Sequence, residues 1–190
     1  MWLSAFNRRL RFIKRFEKSE DGATAVEFGL VAAPFFYLLM AIFETGAMLF
    51  SEYVIENGTA QASRLIRTGQ ATAYTQQNFK DEVCGGLAAF LDCTNRLYVD
   101  VQSFSDFSSV GTINPIESVT NEDGDIIEQL SEDITVNANF NPGAELDVVV
   151  VRVYYDWKLF TPGMSYLSQL AGGRRLLSSS TAFRNEPFGS

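Results

Sequence analysis

The residue best placed to do something chemical in this 190-residue chain is a carboxylate at the mouth of an apolar run. Residues 20–28 read Glu-Asp-Gly-Ala-Thr-Ala-Val-Glu-Phe, so Glu27 stands five positions beyond Gly22, with Phe28 after it and no further charge before Glu44. An ionisable group in a membrane-spanning segment costs a few kcal/mol on insertion scales and asks for a functional reason. Elsewhere the chemistry thins out. The chain has no histidine, which removes the usual general base, the usual zinc ligand and every triad that needs imidazole. Ser178-Ser179-Ser180 therefore has no base to activate it. Asn121, Asp123, Asp125 and Glu132 match four positions of a calcium-loop template, but Ile126 stands where that loop needs Gly, and an acidic Asp-Gly turn explains them better. Arg174-Arg175 reads as a solvated pair before a strand. No catalytic, cofactor or metal site is expected, and the chain is not expected to be an enzyme.

The apolar run is the element that positions Glu27. Phe28 to Phe43 is 16 uncharged residues, roughly 24 Å of helical rise against a ~30 Å hydrocarbon core. Continuing through Glu44 to Phe50 gives 23 residues, enough to span, so the membrane helix is expected over 23–50. A soluble helix apolar all round would need a larger core than this chain supplies. Pro34 removes one ladder hydrogen bond, which membrane helices tolerate. Glu44 has no partner visible in the sequence. It is expected to snorkel at the outer membrane boundary, the alternative being contact with a partner helix inside the membrane.

Charge sets the orientation. The leader, residues 1–22, carries six basic and three acidic side chains, a net of +3 on a chain whose whole charge is −8. Basic residues on the short N-terminal side place it in the cytoplasm and export the rest. Trp2, Phe6, Leu10 and Ile13 recur at helical spacing among those charges and suit the anionic inner leaflet. Without the leader the charge is −11, which speaks against nucleic acid as a partner.

The Gly, four residues, Glu, aromatic pattern before a hydrophobic helix resembles the prepilin processing site of the Flp (type IVb) pilins and their pseudopilins. Ala62-Ser63-Arg64-Leu65-Ile66-Arg67-Thr68-Gly69-Gln70-Ala71 resembles the post-membrane segment of the TadE family, and Ala182-Phe183-Arg184-Asn185-Glu186-Pro187-Phe188 its C-terminal end. The resemblance implies a TadE-like pseudopilin of the tight-adherence pilus system, serving adhesion and biofilm formation. It implies cleavage of residues 1–22 by a prepilin peptidase between Gly22 and Ala23, with Glu27 and Phe28 completing the processing site. Implied partners are that peptidase, other pilins and the inner-membrane pilus assembly proteins. The implied location is the inner membrane, single-pass, with a periplasmic C-terminal domain. After such a cut, the new ammonium on Ala23 and the Glu27 carboxylate lie one turn apart on one helix face, where they suit each other. The alternative function is an uncleaved single-pass anchor carrying a periplasmic binding or sensing module.

The exported part reads as α+β. The helix is expected to continue outside the membrane over 51–70, past a weak point at Asn57-Gly58, and to stop at Thr68-Gly69 with Gly at C′. Residues 71–190 then form a periplasmic head. A second helix is expected over Gln76–Leu91, with strands over Leu97–Phe104, Ile134–Phe140, Asp147–Phe160 and Leu176–Arg184. Ser105–Asp133 reads as a loop or weak hairpin, and Gly163–Ala171 as a short helix. Strands without long helices between them favour an antiparallel sheet packed on the N-terminal helix, the lollipop of pilin-like proteins.

Cys84 and Cys93 pull against the second helix. On an unbroken helix nine residues are about 13.5 Å of rise, beyond the reach of a disulfide. A bond requires the helix to break at Gly85-Gly86 or to end well before Cys93. Helical periodicity opposes the bond, but unpaired cysteines are a liability in an oxidising compartment, so a Cys84–Cys93 disulfide is expected.

Overall fold

Ala23–Arg67 form one helix, α1, with Pro34 inside it. The computed structural model describes residues 23–87, 89–136 and 138–188, so the basic leader and Gly22 lie outside the described residues. The chain divides between Phe43 and Glu44 into two units. In the first, the described residues are the apolar start of α1.

The second unit is built on three antiparallel strands in the order β1-β4-β5. These are β1 (Leu97–Phe104), β4 (Val148–Lys158) and β5 (Arg174–Arg184), with Val99 opposite Val153 and Val151 opposite Thr181. A hairpin of β2 (Ile116–Thr120) and β3 (Ile126–Leu130) forms a separate small sheet. Beside them stand α2 (Gln76–Gly85) and two single turns, α3 (Cys93–Arg96) and α4 (Glu132–Thr135). A long apolar N-terminal helix followed by a domain of antiparallel sheets makes the fold α+β, as expected.

Strand alternation assigns the two faces of the large sheet. Val99, Val101, Val149, Val151, Val153, Tyr155, Trp157, Leu177 and Phe183 share one core with Ile55, Ala62 and Ile66 of α1 and Phe79 and Val83 of α2. On the opposite face Tyr154 clusters with Leu130, Ile134 and Leu170, under the hairpin and α4. β4 is therefore covered on both faces, which is why its sequence runs Val-Val-Val-Val-Arg-Val-Tyr-Tyr instead of alternating.

Two expected elements come out differently. The second helix stops at Gly85 instead of Leu91: the Gly86 amide closes onto Val83 and Cys84, Phe90 leaves the stripe and is exposed, Leu87 packs half-buried against the core and Leu91 is buried in it. The strand expected over Ile134–Phe140 is instead the α4 turn and an irregular stretch. Ser131 caps α4 by accepting from the Asp133 amide, and Glu132 and Asp133 stand in the first turn, where a helix N-terminus favours acids. Among the described residues, Phe140 makes a parallel bridge to Val101. The hairpin turn is held by Asn121, whose Oδ1 accepts from the Asp123 and Asp125 amides at 3.1 and 2.8 Å, with Gly124 at φ +86°.

Two glycines of α1 and its end have positional reasons. Gly58 lets α1 approach α2, since a Cβ there would stand 2.9 Å from the Val83 carbonyl oxygen. This close approach explains a Gly in mid-helix at the Asn57-Gly58 weak point. At the C-terminus, Gly69 at φ +75° makes a Schellman cap: its amide donates to Ile66 and the Gln70 amide to Leu65. The Phe188 ring packs where a Gly69 side chain would be. Gly69→Ala is expected to destabilise the protein by about 2–4 kcal/mol, from the left-handed backbone and the clash together. Chemical denaturation of the detergent-solubilised protein measures it, and adding Phe188→Ala should recover the steric part only.

Candidate functional site

Two regions are candidates and are described separately: the start of α1 in the first unit, and the Glu44 end of the folded second unit. α1 begins at Ala23, and Glu27 and Phe28 are both exposed on it. Ala23 and Glu27 are one helical turn apart, and no other charge occurs before Glu44. Large apolar side chains from Val26 through Phe28, Leu30, Val31, Phe35, Phe36 and Ile42 to Phe43 all face outward. α1 is long and apolar enough to cross a membrane, and its most apolar window buries nothing within the protein. Such a surface on a soluble monomer would far exceed the patches that water tolerates. The helix has the character of a single-pass membrane anchor.

Glu44 does not snorkel. Its side chain is completely buried, and both oxygens are engaged: Oε1 accepts from the Phe160 amide at 2.7 Å and Oε2 from the Thr161 amide at 2.9 Å. Those amides begin the connection between β4 and β5, where the chain has just left the sheet. The donors are fixed backbone groups, and the two carboxyl oxygens give each of them its own acceptor. Met48 and Ser51, one and two turns further on, are buried as well, and the Ser51 hydroxyl is satisfied by the Ala47 carbonyl at 2.7 Å. Glu44, Met48 and Ser51 therefore belong to the buried part of the second unit, which begins at Glu44.

Cys84 and Cys93 are bonded, with Cα atoms 6.0 Å apart. The early stop of α2 at Gly85 makes this reach possible. On the far side of the loop, Asp92 caps α3 through the Asn95 amide, and its own amide donates to the Tyr155 hydroxyl of the central strand at 3.0 Å. Hydrogen bonds from Asn95 hold the Asp92 carboxyl below the usual carboxylate range. Lys80 donates to the Thr94 carbonyl at 2.9 Å, and burial lowers its ammonium pKa.

The charges of β4 have structural partners that sequence reading missed. Arg152 pairs with Asp100 of β1 at 3.1 Å, both buried, and its other arm donates to the Gly111 carbonyl at 2.7 Å. Asp100 Oδ1 accepts from the Asn139 amide and from Gln102. The Arg174-Arg175 pair is not simply solvated either. Arg174 binds Asp156 at 2.8 Å across the β4–β5 register, and Arg175 donates to the Leu167 carbonyl at 3.1 Å. The signal was available: charged residues at positions 152 and 156 inside an otherwise apolar strand demand partners. Among the described residues, no group of acidic or cysteine side chains is arranged to hold a metal ion.

Two expected outcomes test this geometry. Glu44→Gln keeps one acceptor but turns an amide donor toward an amide N–H. It is expected to cost about 2–3 kcal/mol and to raise hydrogen exchange at Phe160 and Thr161 selectively. Replacing Cys84 and Cys93 by Ser is expected to cost about 2–3 kcal/mol in thermal unfolding, the worth of closing a short loop. Peptide mapping without reduction should show the two cysteine peptides linked.

Comparison with family models gives a match to the family described as TadE-like protein over residues 22–64. The match begins at Gly22, runs the length of the apolar helix and ends within the part of α1 that packs on the head. Comparison with curated proteins and with solved structures gives no match.

Proposed function

Given a chain that is TadE-like over residues 22–64, a family of the Tad pilus systems, we propose that it is a minor pseudopilin in the assembly of Flp (tight-adherence) pili. A prepilin peptidase removes residues 1–22 by cutting between Gly22 and Ala23. The mature protein sits in the inner membrane as a single-pass anchor with its head in the periplasm. Its partners are other pilins, pseudopilins and the inner-membrane assembly proteins, and its contribution to adhesion and biofilm formation runs through them. It performs no catalysis of its own.

The observation that carries this reading is the coincidence of the family match with the junction: the match starts at Gly22, and Glu27 and Phe28 follow at the spacing of a prepilin site. The leader net charge of +3 supports a cytoplasmic N-terminus, and the bonded cysteines suit an oxidising compartment on the other side. Because Glu44 is buried in the head, we place the end of the membrane segment at Phe43 and not at Phe50. Glu27 then has a role in assembly. Its carboxylate neutralises the new ammonium of Ala23, within one chain or on a neighbouring subunit, where a low dielectric strengthens the pairing.

Intact mass of the membrane-extracted protein should show a chain beginning at Ala23 in cells that contain the peptidase. A full-length species there counts against the pilin reading. Reporter fusions after Gln70 should be active only on the periplasmic side. Glu27→Gln should leave membrane insertion intact while co-purification with pilus components falls by at least several fold; unchanged co-purification would rule out the pairing role.

A further inference from the structure

We infer that the outer edge of β5 takes up an extended, acidic segment of another polypeptide as a fourth strand of the large sheet, along Ser178 to Arg184. The inference rests on the second unit alone. It goes beyond the proposed function by naming an interaction surface and the chemistry of what docks there.

The order β1-β4-β5 leaves the large sheet with two outer edges. Hydrogen bonds show which backbone groups of β5 face outward. The Arg174 amide donates to the Leu170 carbonyl at 3.4 Å, the Leu176 amide to the Gln169 side chain at 3.2 Å and the Glu186 amide to the Arg67 carbonyl at 2.9 Å, all away from β4. The Asn185 amide instead donates to Asp147, which leads into β4. Even-numbered residues thus turn their backbone groups outward. Between the closures at Leu176 and Glu186, Ser178, Ser180, Ala182 and Arg184 present four N–H and four C=O groups that have no partner among the described residues. All four residues are exposed.

The opposite edge is covered. In β1 the Val101 amide donates to the Asn139 carbonyl at 2.8 Å, its carbonyl accepts from the Asn141 amide at 2.9 Å, and the Gln76 side chain donates to the Val99 carbonyl at 2.8 Å. Natural sheets guard an open edge with charges, Pro or a bulge. From Leu176 to Phe183 there is no charge, Pro or Gly, and β5 keeps register with β4 over all 11 of its residues. The stretch 178–184 is therefore regular, bounded at both ends and unguarded, the surface to which an added strand pairs through its main chain.

Charge selects the occupant. The second unit carries nine basic and 19 acidic side chains, a net of 9 − 19 = −10. Yet five of the nine, Arg67, Lys158, Arg174, Arg175 and Arg184, lie on β5, opposite its start or at the closure beyond its end. β5 itself has three Arg and no acid. A second copy offering the same edge would bring six Arg together, and like charges across a strand pair are unfavourable. The β1 edge of a second copy is already covered. The occupant is thus a different polypeptide, extended over at least seven residues, with carboxylates that meet Arg184 at one end and Arg175 at the other. Main-chain bonds supply its affinity and the charges its register.

The test uses the full-length protein in detergent micelles with its disulfide intact. The probe is a synthetic peptide, Glu-Thr-Val-Thr-Val-Thr-Glu, blocked at both ends, and residue-resolved amide hydrogen exchange reads the pairing. In the protein alone the amides of Ser178, Ser180, Ala182 and Arg184 should exchange freely, while those of Ser179, Thr181 and Phe183 are protected by β4. The peptide should slow the first set by about tenfold or more and leave the second unchanged. The same peptide with Lys at both ends should slow neither. Arg184→Glu should reverse the preference between the two peptides, and Ser180→Pro, which removes one outward N–H, should abolish the slowing. Arg184→Glu alters an exposed side chain, so it decides the matter if Ser180→Pro does not fold. No slowing by the Glu peptide, or equal slowing by the Lys peptide, would overturn the inference. Protection of the outward amides in dilute protein alone would also overturn it, since the edge would then be covered within the chain. Protection that grows with protein concentration would mean pairing with a second copy and would overturn it as well.

Discussion

A buried carboxylate bound by two backbone amides is the constraint on which the arrangement of the head depends. Taking Glu44 out of water without partners would cost several kcal/mol, and the Phe160 and Thr161 amides would be stranded as well. Neither side can leave alone, so within the second unit Glu44 ties its end of the helix to the β4–β5 connection. At the other end of the head the helix is held again. The Glu186 amide donates to the Arg67 carbonyl at 2.9 Å, the Phe188 ring covers Gly69, and the Arg67 guanidinium lies 5.3 Å from the centre of the Phe183 ring. Between these clamps, Ile55, Ala62 and Ile66 fill one face of the sheet. Such a helix cannot slide or rotate on its domain without exposing both polar ends and an apolar core.

The same constraint sets what the protein offers to a membrane. Glu44 separates two surfaces of one helix that look alike in composition: outward apolar side chains before it and core-facing ones after it. The Cys84–Cys93 bond extends the rigid part sideways by pinning the loop that carries Phe90, and Tyr155 secures the same loop through the Asp92 amide.

β4 carries a second layer of specification. A strand covered on both faces would pack as well with Val or Ile at every position, yet Arg152 and Asp156 interrupt it. Each is answered by a charge on a neighbouring strand, Asp100 on one side and Arg174 on the other. Buried pairs of this kind contribute little net stability. They penalise any register that separates the partners, and a one-residue slip of a strand would do so.

Much of this was legible in the chain by itself, because it depends on local pattern. The apolar run, the stop at Gly69 and the strands near 97–104, 148–158 and 174–184 all follow from the order of residue types along the sequence. Alternation and β-branched content marked the strands even where their partners lie 50 or more residues away. Tertiary structure decided the rest. Closure of the Cys84–Cys93 loop chose a broken α2 over a continuous one, and Ser131 with its acidic neighbours won Ile134 for a helical turn although the alternation there suited a strand. Above all it decided the place of Glu44, the first residue of the folded second unit. The partners of that carboxylate are backbone amides more than a hundred residues away, and an amide N–H is the same at every residue but proline, so no reading of side-chain types could have found them.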